Sequence, residues 1–331
     1  MSDTVFYFGL LGNVNPSIQQ ICLHEGLRIE KWSKQKILDF LNQVIAIDPI
    51  DAEDRYEDVY GCGAKKTAYV ITGSLESDTI PIQAEVENAV SFFLRSHEFY
   101  ESYSSILENK IHLLRLCSKG DIRLSISCYY RIDESGDKEL IQANQVTTSL
   151  RNWVFHVSPN EAEYFNDFIS TTEIHLQPEY IQLAYENFLL SYDVLDDRLT
   201  FLSLMIALET LFNDGTSEIR YRISRGVAVL LGRTIKQSEA IFKDVKRLYN
   251  KRSVLVHTGD PRKIRPIDVL DLQNYVRDSL RLLIGYRIPK NLLTQMLTEE
   301  GFGAHNRIKK SRRIAGHNQS VQRFADKPGS R

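Results

Sequence analysis

Apolar positions along this chain follow two rhythms, and the change comes near residue 157. Before it, residues 4–10, 27–32, 66–75, 122–132 and 145–157 are rich in β-branched and aromatic side chains and read as strands. Between them, 33–46 gathers Ile37, Leu38, Leu41 and Val44 on one side of a predicted helix, and 89–118 is a second helical candidate. The acidic stretch 48–60 contains Pro49 and reads as a loop. From 158 onward the spacing is helical: 161–170, 179–192, 194–212, 217–231, 238–256 and 266–286, with Gly215, Gly232, Gly259 and Pro261 as stop signals. The pattern predicts an α+β protein. A mixed α/β domain over 1–157 precedes an all-α helical bundle over 158–290, whose short loops imply antiparallel neighbours. Residues 291–331 are predicted to form a basic, disordered tail.

Two charges break the apolar stripes of the bundle. In 238–256, Ile241, Val245, Leu248, Arg252 and Leu255 recur at helical steps of three and four, so Arg252 sits within an apolar face. An unpaired charge there is expensive, and the arginine needs an anion, either a carboxylate or a phosphate. In 194–212, Leu195, Leu199, Leu202, Ile206 and Glu209 follow the same steps. Glu209 is therefore predicted to face inward and to pair with an arginine, with Arg225 and Arg252 the leading candidates. His257 falls where the fourth long helix should end, just ahead of Gly259 and Pro261. Five residues of ideal helix place His257 about 140° around the axis from Arg252. For the two to meet on one phosphate, either the last turn loosens or two chains contribute.

Composition narrows the classes. A chain of 331 residues suggests two domains, and 43% hydrophobic with 25% charged residues is ordinary for a globular protein. No apolar run approaches the roughly 20 residues that span a bilayer, so no membrane partner is expected. The N-terminal segment lacks a basic flank and a small-residue cleavage site, so no signal peptide is read and a cytoplasmic location is expected. Cys22, Cys62, Cys117 and Cys128 form no CxxC pair or zinc spacing, and reduced thiols with neither metal nor cofactor are expected. His24, His97, His112 and His156 are scattered and read as structural. From residue 301 eight basic residues face one acid, so the tail is strongly basic while the whole chain carries −2.

Three segments carry a resemblance: Ala207-Leu208-Glu209-Thr210-Leu211-Phe212, Glu218-Ile219-Arg220-Tyr221-Arg222-Ile223-Ser224, and Tyr249-Asn250-Lys251-Arg252-Ser253-Val254-Leu255-Val256-His257. Together they are similar to the HEPN superfamily, and most of all to the ApeA-like HEPN domains of prokaryotic defence proteins, over roughly 178–287. The resemblance implies a helical bundle that dimerises and a metal-independent endoribonuclease, active in antiviral defence or toxin-like RNA cleavage. Its Arg and His, here Arg252 and His257, would meet at the dimer interface, which answers the angular problem. Glu209, Ser253, Asn250 and Arg225 would support them. Lys251 and the tail residues Lys309, Lys310, Arg312 and Arg313 would contact RNA. The tyrosine that some members carry two residues after the histidine is Gly259 here. An activating ligand or protein is expected at the N-terminal domain. The rival reading is a catalytically inactive scaffold, dimerisation or RNA-binding module, in which Arg252 and Glu209 only hold helices together.

Overall fold

The computed structural model describes residues 4–45, 52–54, 56–57, 66–75, 89–133, 135–145, 153–215, 217–258, 264–284 and 287–305. The chain is α+β and divides into two compact units, Met1–Thr171 and Thr172–Arg331.

The first unit is built on an antiparallel five-stranded sheet in the order β2-β3-β1-β4-β5. The strands are β1 (Val5–Gly12), β2 (Leu27–Ser33), β3 (Thr67–Leu75), β4 (Arg123–Ile132) and β5 (Lys138–Gln145). β1 pairs with β3 on one side and β4 on the other, and nearly all of it is buried, as a central strand requires. Successive side chains on a strand point to opposite faces. Phe8 and Leu10 pack against Ile37, Phe40, Leu41 and Val44 of α1 (Lys34–Ile45). Tyr7 points the other way, to Tyr103 of α2 (Ala89–Cys117), which covers the second face. There Tyr129 exchanges a 2.8 Å hydrogen bond with Ser104.

Several predicted boundaries shift. Of the strand expected at 145–157, 146–152 lie outside the described residues, and 153–157 contribute only an isolated bridge from Phe155 to Val14. The edge strand is instead β5, whose mixed polar sequence hides the alternation that marks a half-buried strand. The stretch 48–60, read as a loop, has helical residues at 52–54 and 56–57, and Ala52 and Tyr56 are buried. α3 (Ala162–Thr171) packs on α2 and so belongs with the sheet, whereas the sequence reading starts the bundle at 158.

The second unit is helical: α4 (Glu179–Asp193), α5 (Asp197–Phe212), α6 (Ile219–Leu231), α7 (Ile235–Thr258), α8 (Pro266–Leu283) and α9 (Lys290–Glu299). α5 is central and touches α4, α6, α7 and α8. Asp196 caps it, accepting from the amides of Arg198 at 2.8 Å and Leu199 at 3.3 Å. α6 approaches α5 closely at Gly226, where an added Cβ would stand 2.6 Å from a Phe212 ring carbon. Residues 291–299, expected in the disordered tail, instead belong to α9, a helix that buries Leu293 and Leu297. Leu292, Leu293, Met296 and Leu297 recur at helical spacing, a signal that the short length of the segment beside the basic tail obscured.

Candidate functional site

α7 presents Ile241, Val245, Leu248 and Leu255 to the core, and Arg252 lies on that same stripe. Its guanidinium meets Glu209 of α5, with Nε 3.3 Å from Oε1 and side chains 28% and 24% exposed. The contact is electrostatic: Oε1 is buried and accepts no aligned hydrogen bond. Burial pushes the Glu209 carboxyl above its ordinary range, and the attraction of Arg252 only partly opposes this. The Tyr249 ring centroid lies 5.9 Å from Arg252 Cζ. Burial raises the Tyr249 hydroxyl, and the charge of Glu209 raises it further. A guanidinium has five donors in a fixed fork. No second carboxylate among the described residues pairs with Arg252, so the fork retains capacity for an anion.

His257 is exposed in the last turn of the same helix. α7 stays helical through Thr258, whose hydroxyl donates to the Val254 carbonyl at 2.7 Å. The last turn does not loosen, so the offset of about 140° between Arg252 and His257 stands. Within one chain the two side chains point apart.

The remaining predicted residues are scattered in role. Ser253 is half-buried on α7. Asn250 accepts a 2.8 Å hydrogen bond from Arg220 Nη1. Arg225, a candidate partner for Glu209, instead donates to the carbonyls of Leu297, Thr298 (3.1 Å) and Glu300 (2.9 Å), closing the C-terminal end of α9. Lys251, expected to touch RNA, is bound to Asp268 at 2.7 Å. Asp268 is fully buried and also holds Arg247 at 2.6 Å and the Arg265 backbone amide at 3.0 Å. Burial alone would push its carboxyl up, but the hydrogen bonds from Arg265, Lys251 and Arg247 outweigh it and hold it well below the usual carboxylate range. Lys309, Lys310, Arg312 and Arg313 lie outside the described residues.

The α5 stripe is a correction. Leu195, Leu199 and Ile206 were expected to face inward, yet they are 58%, 55% and 44% exposed. The buried face of α5 is the opposite one: Phe201, Leu204, Met205, Leu208 and Leu211. α5 is apolar nearly all round, so periodicity alone offered two faces. Leu183 and Leu190 of α4 are exposed as well. Glu209 stands at the C-terminal end of this exposed apolar row.

Sequence reasoning missed Lys243, Lys246, Arg247 and Asp268, and Arg220, a possible partner for Glu209, instead meets Asn250. The available signal was the second stripe of α7, where Lys243, Arg247, Asn250, Lys251 and Val254 recur at helical spacing opposite the apolar one. These residues and Lys246 line a shallow concavity of about 430 Å³.

No family model, curated protein or solved structure matches this chain. Among the described residues no group of His, Cys, Asp and Glu side chains could hold a metal ion, and no helix is long and apolar enough to cross a membrane. Two histidines of the first unit make local polar contacts, and the side chain of His97 lies outside those described. His156 shares a 2.8 Å hydrogen bond with Asn15, and His24 lies 2.7 Å from the Glu25 carbonyl oxygen. His112 is pushed down to about 3 by burial, then by the charges of Arg115 and Arg123.

Proposed function

We propose that this protein is a metal-independent endoribonuclease that works as a homodimer, in line with the HEPN resemblance of residues 178–287. The observation that carries this reading is the position of Arg252. It is half-buried, held by Glu209 without an aligned hydrogen bond, and adjoins the end of an exposed apolar row on α5. Exposed leucines and isoleucine in a row favour a protein partner. A twofold dimer places the same patch of both copies in contact. A second copy is also what can bring the His257 of one chain towards the Arg252 of the other, since α7 holds its own pair apart.

The chemistry uses a nucleophile already present in RNA. The ribose 2′-oxygen attacks the adjacent phosphorus as His257 takes the hydroxyl proton, and the imidazolium then gives that proton to the departing 5′-oxygen. Arg252 stabilises charge on the phosphorane-like transition state. The P–O5′ bond breaks, leaving a 2′,3′-cyclic phosphate and a 5′-hydroxyl. A cytoplasmic role in antiviral defence or toxin-like RNA cleavage, under control of a signal at the N-terminal domain, rests on the resemblance.

A second reading is favoured by one observation: Arg252 already has Glu209, and Lys251 already has Asp268. Both cations then serve the bundle alone, and the protein is a silent dimerisation or RNA-binding module. Incubation of the purified chain with total RNA in EDTA, beside Arg252→Ala and His257→Ala, separates the two. Cleavage by the wild type, lost in both variants, supports the nuclease. Wild-type rates in both variants transfer the case to the module.

A further inference from the structure

We infer that the exposed face of α7 is a track for the phosphates of a single-stranded nucleic acid, with Lys243 and Lys246 as its phosphate-binding residues. This rests on the proposed action on RNA and specifies how the strand would be held. The concavity on this face is lined by Lys243, Lys246, Arg247, Asn250, Lys251 and Val254. Its cations fall into two classes. Arg247 and Lys251 are locked by carboxylates: Asp244 at 2.7 Å and Asp268 at 2.6 Å for Arg247, and Asp268 at 2.7 Å for Lys251. Lys243 and Lys246 are exposed, and among the described residues no carboxylate pairs with either. Lys246 rests its ammonium 5.8 Å from the Phe242 ring centroid. Arg220 of α6 adds a further cation beside Asn250. The one acid on this line of α7 is Glu239, a turn before Lys243.

Helix geometry then orders the face. Lys243, Lys246, Asn250 and His257 fall within about 60° of one another around the axis. Lys243 and His257 are separated by about 21 Å along it, a span of several nucleotides. Arg252 lies about 180° from Lys243, on the core side. The cationic line therefore leads to the histidine and not to the arginine of the same chain. A strand laid along α7 would deliver a phosphodiester to His257, leaving Arg252 to be supplied by a second copy. The ligand is a phosphodiester chain and not a free anion, because the two lysines are single-point donors on an open surface with no enclosing fork.

The test uses the full chain and a fluorescent 2′-O-methyl RNA oligonucleotide, which lacks the nucleophile and cannot be cut. Anisotropy titrations across a salt series read affinity and its salt slope. Lys243→Glu/Lys246→Glu is expected to weaken binding about tenfold or more at low salt, and Lys243→Gln/Lys246→Gln to reduce the slope by about 1.4, the share of two single-strand phosphate contacts. Wild-type affinity and slope in both lysine variants would overturn the track, as would failure of the wild type to bind the oligonucleotide. Binding to phosphatidylserine vesicles in place of the oligonucleotide, lost in the lysine variants, would reassign the face to a membrane. The nuclease reading fails separately: a His257→Ala protein that still cuts unmodified RNA removes it whatever the lysines do.

Discussion

Arg252 on α7 and Glu209 on α5 stand 3.3 Å apart as an ion pair whose acceptor oxygen receives no aligned hydrogen bond. Burial raises the Glu209 carboxyl more than Arg252 lowers it, so the charged form is less favourable here than in water. A neutral isostere should therefore be tolerated. Glu209→Gln is expected to cost less than about 1 kcal/mol in urea unfolding, and Glu209→Ala, which strips Arg252 of any acceptor, about 1–3 kcal/mol. The pH dependence carries a sign. Above the ordinary value of 4.5 the folded state holds the proton longer than the unfolded chain. Wild-type stability should fall as pH rises through that window, and Glu209→Gln should remove this contribution. Equal losses in the two variants would show that the carboxylate charge matters more than its burial.

Asp268 should behave in the opposite sense. Its carboxyl is held below the usual range, so its contribution is present above the unfolded value near 3.8 and is lost as pH falls. Asp268→Asn leaves Arg247 and Lys251 without their shared anion and weakens the cap of α8. Only Asp268 is fully buried and its cations reach solvent, so the loss should be about 1–3 kcal/mol at neutral pH. Denaturant midpoints at pH 7 and pH 3 check this, and the difference between the proteins should shrink at the lower pH.

The exposed row on α5 predicts association. Leu199→Glu and Ile206→Glu place a charge where a second copy would bury a leucine and an isoleucine. If the proposed dimer forms through this row, each should shift it to monomer in light scattering at micromolar concentration while helical content stays unchanged. A wild-type protein that is monomeric throughout would remove the shared site.

Complementation tests that site directly. Arg252→Ala and His257→Ala homodimers should each lose about 10²–10⁴-fold in rate. Mixed and allowed to exchange, they should recover about a quarter of wild-type activity. Half of the dimers would be hybrid, each with one of two sites intact. No recovery despite proven exchange would mean that Arg252 and His257 of one chain act together.

The sequence alone determined most element types, though not β5 or α9, because period-two and helical spacing are local properties of the chain. β1, β2, β3, β4, α1 and the helices from α4 to α8 all lie close to where that spacing put them. The anomaly of Arg252 was legible for the same reason: one charge among Ile241, Val245, Leu248 and Leu255 marks a single face. The face of α5 that enters the core was not. Leu199 and Ile206 share one side and Phe201, Leu204 and Leu208 another, and both are apolar at the same period, while Leu195, expected on the same stripe, lies ahead of the cap at Asp196. Periodicity fixes which residues share a side, while burial depends on which neighbour arrives there. The partner of Glu209, the capture of Lys251 by Asp268 and the docking of α9 are likewise contacts between distant segments. They depend on packing in three dimensions, so only the tertiary structure decided them.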